Sequence, residues 1–376
     1  MTTRLDVVEE WSAPHRPGSD PAREPRGAMG WVVRGLRELP AVGFLAWGTL
    51  ALHFAGPGRG GLADLLAVAW AVVGLAILLL VRPFGRRLTM FAAAVAVLLV
   101  WWSTIRPSND RTWLADVART PHGELSGERL TIHDLRNFDY RSETDFTERW
   151  ETRTYDLSGL DRLDFFLSYW GSPKIAHTIV SWAFQDGQHL AVSIETRKEV
   201  GESYDALAGF FRQYELYYVV ADERDLIRLR TNYRGEHVYL YPLRTPRDRV
   251  RPMLLDYVKS MNELAKEPQF YNAGTDNCTT NIRMHAQQIG ATAPWDYRIL
   301  LNGYVDELLY ERGVIDTSHP FPEVRAASLI DARAQAADQD PAFSQRIRGG
   351  ITVPRRFDET DEASRSTTSR PGEGVR

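Results

Sequence analysis

The apolar positions of this chain are bunched toward one end. Between about residues 40 and 105 three runs nearly free of charge follow one another: Ala41 to Ala55, Leu65 to Val81 and Leu88 to Ile105. A membrane-spanning helix needs roughly 20 residues, within a range of about 17–25. The second and third runs reach the lower end of that range; the first is the shortest. As buried helices of a soluble domain these runs would leave little polar surface. They also begin too late for a secretory signal peptide. The pattern therefore predicts three transmembrane helices over 39–105. Arginine bias sets the expected orientation. Arg4, Arg16, Arg23, Arg26, Arg34 and Arg37 precede the first run, and Arg82, Arg86 and Arg87 fill the second connection, whereas the first connection holds only Arg59. The tail 1–38 is then cytoplasmic at an inner membrane, and everything after Ile105 lies on the far side, with Trp101-Trp102 at the outer interface.

Beyond Arg111 the periodicity changes. Leu130–Ile132, Phe138–Tyr140, Leu163–Trp170, His177–Phe184, Leu190–Glu195, Leu216–Ala221 and His237–Tyr241 read as strands, being short and rich in β-branched and aromatic residues. Asp186-Gly187 between two of them is a two-residue hairpin signal. Helical spacing follows in Val250, Met253, Leu254, Tyr257, Val258 and Met261, with Asp248 as the expected N-cap. A second helix is predicted from Cys278 to about Ile289, stopped by Gly290. The region 106–352 is thus expected to be one α+β domain, and the Ser-, Thr- and Arg-rich stretch 353–376 a disordered tail.

Composition narrows the function. Hydrophobic residues make up 44% and charged residues 25%, and the net charge is -4, which gives no reason to expect a nucleic-acid partner. One cysteine cannot form an internal disulfide and excludes a zinc site built from several thiolates. No cofactor motif or metal cluster stands out in the spacing, so none is expected.

That cysteine, Cys278, opens a predicted helix behind Asp276-Asn277. Unpaired N–H groups and the positive end of the helix dipole favour its thiolate, which is the nucleophilic form. A lone cysteine is more often a small core residue; the helix-start context argues for catalysis. A base is then needed. His285 lies seven residues on, about 10 Å by helix rise and too far for proton transfer. His177 opens a strand. A two-residue turn at Asp186-Gly187 would place it opposite Thr196 and next to Glu195, and a slip of one residue would put Glu195 directly across, accepting Nδ1–H. Glu195 has a plainer alternative, pairing with Arg197 or Lys198, and a strand histidine is usually structural. Asn277, with the backbone at Cys278 and Thr279, is a candidate for helix capping and for holding an oxyanion. The stretch 204–214 could line an acyl groove through Phe210 and Phe211, beside Tyr271, or form an amphipathic core helix. Arg224, Arg228 and Arg230 are candidates for binding phosphate or for a solvated strand face.

At these residues the chain resembles a known family. The runs Trp102 to Arg111, Ile175 to Thr178, Ser193 to Arg197, Tyr214 to Leu216 and Tyr271 to Thr280 resemble the Lnb-type N-terminal periplasmic domain, a family named for a bacterial lipoprotein transacylase. The resemblance implies a circularly permuted papain-like fold, similar to the NlpC group, with a central antiparallel sheet and the histidine strand ahead of the cysteine helix. It implies Cys278 as nucleophile and His177 as base; Glu195 as third member rests on the hairpin geometry. It further implies a membrane-anchored periplasmic acyltransferase or hydrolase working through a thioester on lipoprotein or lipid-linked acyl groups, with the bilayer as partner. A cell-wall peptidase or amidase with the same chemistry, and a non-catalytic envelope binding module, are the alternatives.

Overall fold

The computed structural model describes residues 28–58 and 60–358. Most of the expected cytoplasmic tail 1–38 and of the expected disordered tail 353–376 lies outside them. The chain divides into two compact units, Met1–Val100 and Trp101–Arg376.

The first unit is helical: α1 (Ala28–Ala55), α2 (Gly61–Leu80) and α3 (Phe84–Thr104), whose last turn belongs to the second unit. Gly48 of α1 is pressed against Leu98 and Trp70, and Trp70 Nε1 donates to Leu45 O at 3.0 Å. A side chain at Gly48 would collide with both neighbours, so the glycine sets how closely the helices approach. Among the described residues two helices, α2 and α3, have the length and composition to cross a membrane, with mean hydropathy 2.5 and 1.5. The expectation of three spans is corrected at α1. Its apolar part from Ala41 to Ala55 is short of the roughly 20 residues a crossing needs, and it follows Arg37, Glu38 and Pro40 directly. Glu38 pairs with Arg87, and His53 Nδ1 lies 2.6 Å from Asp64 Oδ1.

The second unit is α+β. Its strands are β1 (His122–Ser126), β2 (Arg129–Arg136), the short pair β3 (Asp139–Tyr140) and β4 (Phe146–Thr147), β5 (Trp150–Asp156), β6 (Leu160–Tyr169), β7 (His177–Phe184), β8 (His189–Arg197), β9 (Glu215–Ala221) and β10 (His237–Pro242). The main sheet runs β1-β2-β9-β8-β7-β6-β10, with β5 also on β2. Every pairing is antiparallel except the single contact of β2 with β9. β7 and β8 are buried along almost their whole length, polar Thr178, Ser181, Ser193 and Thr196 included, so they lack the clean apolar–polar alternation of a half-exposed strand.

Two layers cover this sheet. On one face Phe166, Ile179, Ala191 and Val219 pack with Leu226 and Ile227 of α4 (Glu223–Arg228) and with Ile330, Ala334, Phe343 and Ile347 from the chain's last described segments. Elsewhere the sheet contacts α5 (Arg247–Lys266) and α6 (Cys278–Gln288). Trp182 of β7 meets Tyr257 of α5 edge to face, with ring centroids 5.0 Å apart. α5 begins at Arg247 behind Pro246, so Asp248 sits inside the first turn and does not cap it; a carboxylate there still favours the helix dipole.

The β7–β8 hairpin differs from expectation by one residue. Phe184 N–H donates to Gln188 O and Gly187 N–H to Phe184 O, both at 3.0 Å, so Gln185, Asp186 and Gly187 form a three-residue turn. Gly187 has φ 87°, the left-handed position that closes such turns. The register becomes Ile179↔Ser193 and Ala183↔His189. Continued to the start of β7, it sets His177 across from Glu195 rather than Thr196.

Candidate active site

The site is assembled where the end of this hairpin meets the start of α6. Asn277 is the N-cap of α6: its Oδ1 accepts from Thr279 N–H and Thr280 N–H, both at 3.0 Å, and Thr280 Oγ1 accepts from Asn277 N–H at 2.9 Å. This reciprocal cap fixes where the helix starts and makes Cys278 its first residue. Asn277 Nδ2 donates to Ala273 O at 2.9 Å, so the side chain is committed to the cap. The Cys278 N–H makes no hydrogen bond among the described residues, as expected for a first-turn donor.

Cys278 is 8% exposed. Burial by itself would raise its thiol pKa. The His177 imidazole, by charge and by hydrogen bond, and then Thr178 outweigh burial and bring it down to about 6. His177 is raised from its ordinary value: burial and Arg230 oppose its charge, but Cys278 and Glu195 prevail. His177 Nε2 lies 2.5 Å from Ser193 Oγ, Ser193 Oγ donates to Glu195 Oε1 at 2.7 Å, and Nε2 is 3.5 Å from Glu195 Oε1. Imidazole and carboxylate are therefore linked through a hydroxyl as well as facing each other. The ring uses Nε2 on that side, not the expected Nδ1, which leaves Nδ1 for the thiol.

Behind the histidine stands Arg230. Its Nη2 donates to Glu195 Oε1 at 2.9 Å and its Nη1 to Glu236 Oε2 at 3.0 Å; Glu236 in turn accepts from Ser168 Oγ. Burial disfavours the Glu195 carboxylate, yet His177, Arg230 and Ser193 hold it well below the usual range. Glu195 thus pairs with neither Arg197 nor Lys198. Arg197 is buried elsewhere, donating to Val117 O and Asn109 Oδ1 at 2.9 Å. The expected solvated arginine face is also corrected: Arg228 and Arg230 are buried, and Arg230 lies in a π-helical turn, Leu229–Tyr233.

Two further residues join the cluster without a sequence signal. Asn302 accepts from Ala176 N–H at 2.8 Å and donates to Thr279 Oγ1 at 2.8 Å, with its Nδ2 3.8 Å from Cys278 Sγ. Thr178 Oγ1 is 3.4 Å from Thr279 Oγ1. Both report a packing of distant segments that no local pattern encodes. His285, two turns along α6, is buried between Asp256 (2.7 Å) and the Tyr218 hydroxyl (2.8 Å) and takes no part in this cluster.

The expected groove residues separate. The stretch 204–214 forms a loop with one 3₁₀ turn, Ala208–Phe210, not a helix. Phe210 is exposed while Phe211 is buried. Gly209 packs on Tyr271, and Phe210 lies against Gly274, so this loop and the segment before α6 share a wall. Tyr271 is buried, and its hydroxyl is pushed up by burial and then by the charge of Cys278; Tyr204 is raised by the same two causes.

Neither the curated proteins nor the solved structures give a match to this chain. Its residues 146–303 do match the model of one protein family, a segment that contains His177, Ser193, Glu195, Arg230, Cys278 and Asn302. That model is of the Lnb N-terminal periplasmic domain, and the matched segment is preceded in the chain by two helices with the character of membrane spans.

Proposed function

We propose that the Cys278 cluster is the catalytic centre of a membrane-anchored periplasmic thiol acyltransferase or hydrolase acting on lipid-linked acyl esters. The reading rests above all on one observation. The chain's single thiol begins a capped helix, has a pKa near 6, and is coupled to an imidazole that Ser193, Glu195 and Arg230 hold from behind. A buried structural cysteine would be neutral and inert.

In this reading the Cys278 thiolate attacks the ester carbonyl carbon and a carbon–sulfur bond forms. The Cys278 N–H, unpaired among the described residues, donates to the developing oxyanion. Collapse of the tetrahedral intermediate breaks the carbon–oxygen bond, and the leaving alkoxide takes a proton from His177. An amine or water then attacks the thioester, yields its proton to His177 and returns the thiolate. Glu195 stabilises the imidazolium through Ser193 and directly. The family's periplasmic character and the two apolar helices support a lipid-linked substrate, because tethering raises the local concentration of membrane-borne esters. The histidine strand preceding the cysteine helix agrees with a permuted papain-like order.

Mass spectrometry of envelope lipoproteins and lipids from wild-type and Cys278→Ala strains tests the proposal. Loss of one acylated product in the variant, restored by the wild-type gene, is the expected result. Unchanged lipoproteins together with altered cell-wall peptides would transfer the same chemistry to a peptide substrate, and no change in either would remove the catalytic reading.

A further inference from the structure

A second cluster of chemically capable side chains lies on the sheet at β1 and β2, separated in strand order from β7 by β9 and β8. His122 and His133 are direct cross-strand partners, and their rings stack with centroids 4.7 Å apart and planes 13° from parallel. Glu124 is two residues on from His122, on the same face of the strand. One ligand atom from each of the three lies within 4.8 Å of the others. Their spacing in sequence matches no metal motif, since it is the register of β1 with β2 that joins them.

Three details aim this cluster. The pairing of β2 with β5 shifts between Ile132 and Leu135, and Asp134 has φ 55°; such bulges redirect a neighbouring side chain. His133 Nδ1 lies 3.3 Å from Thr152 Oγ1, which serves as the outer partner that fixes tautomer and orientation in metal-binding histidines. The opposite nitrogen, His133 Nε2, is shielded from solvent, has no hydrogen-bond partner, and lies 3.7 Å from Glu124 Oε1. A buried imidazole nitrogen without a partner, facing a carboxylate and a second imidazole, lacks the group that would satisfy all three.

We infer that His122, His133 and Glu124 bind a divalent zinc ion. Two neutral imidazoles and a carboxylate are a known three-ligand zinc set, with the fourth tetrahedral position left for water. Ligands at about 2.0–2.2 Å from one tetrahedral centre stand about 3.4 Å apart, so these atoms, all within 4.8 Å of one another, close on the ion by side-chain rotation. The ion would bridge β1, the end of the sheet path, to β2, with β5 supplying the outer hydrogen bond. It is separate from the thiol cluster, so this inference stands whether or not Cys278 is catalytic.

The test uses the full chain in detergent, purified without a polyhistidine tag and stripped with chelator. Titration with zinc chloride is followed by calorimetry, and titration with cobalt chloride by the visible ligand-field bands of tetrahedral Co²⁺. One equivalent of zinc is expected, with a higher unfolding temperature. Outer-partner substitutions alone cost about 10–100-fold in metal affinity. Thr152→Val should therefore weaken binding by about 10-fold, and His133→Ala by more than about 100-fold. Glu124→Gln, at a side chain 72% exposed, changes no packing and guards against a folding artefact. Absence of binding at micromolar zinc, or binding that survives His133→Ala and Glu124→Gln but disappears in Cys278→Ala, would overturn the assignment.

Discussion

At the scale of single residues, the decisive balance is between burial and the neighbours of Cys278. Burial pushes the thiol up, and His177 brings it down to about 6. Alkylation by iodoacetamide requires the thiolate, so its rate should rise with pH through a midpoint near 6 rather than near the ordinary ~8.5. In His177→Ala the largest favourable influence is gone while burial stays, so the midpoint should move above the ordinary value. Stopped alkylation followed by intact-mass measurement reads both curves; a wild-type midpoint near 8.5 would show that the imidazole does not act on the sulfur. The helix-start pattern Asp276-Asn277-Cys278 made this residue legible in the sequence, because capping is a local property. Asn302 and Arg230 were not legible. Each acts through a partner far away in the chain, Asn302 at Ala176 and Thr279 and Arg230 at Glu195, and nothing near them in sequence marks that partner.

At the scale of elements, one turn governs what faces the histidine. Strand and helix positions followed from periodicity: His177–Phe184, the core of β8, and the helix from Cys278 are where the pattern puts them. Register did not follow, because Asp186-Gly187 is compatible with turns of two or three residues and a single residue decides which side chains oppose each other. Gly187 holds the longer turn closed at φ 87°. A side chain there must adopt the left-handed conformation, which costs roughly 1–2 kcal/mol for a non-glycine residue. Gly187→Ala should therefore lower unfolding free energy by about that amount in urea titrations of the purified protein. An unchanged midpoint would mean the turn is not under this constraint. β1, β5 and the bulge at His133 escaped the sequence reading because they are polar and half exposed, and their hydrogen-bonded partners, not their composition, make them strands.

At the scale of the whole second unit, the sheet is fastened to its last described segments by a buried charge network. Arg348 Nη2 donates to Asp164 Oδ2 and to Glu223 Oε1, both at 2.7 Å, while Ser181 Oγ donates to Glu223 Oε1 at 2.6 Å. β6, β7 and α4 thus converge on one guanidinium from the far end of the domain. Arg348→Met leaves the fully buried Glu223 carboxylate without its arginine and Asp164 with Arg162 alone, at 3.1 Å, a loss of about 3–5 kcal/mol. Thermal unfolding of the two proteins at neutral pH checks this, and a difference under about 1 kcal/mol would show the network to be ornamental. Burial opposes the Glu223 carboxylate, but Arg348 and then His189 hold it well below its usual range. Its stabilising contribution is therefore complete above an unfolded value of about 4.3 and fades as pH falls toward the folded one. Long-range ties of this kind leave no trace in local sequence, which is why the domain's α+β class was readable while the covering layers around its sheet were not.

The Asn302 carboxamide deserves its place in that wider picture. It grips the residue before the imidazole and the residue after the sulfur, so the gap between the two reactive groups is gauged by one short, planar spacer. Any motion that carried the 302 segment outward would loosen both partners in the same instant and switch the pair off as a unit.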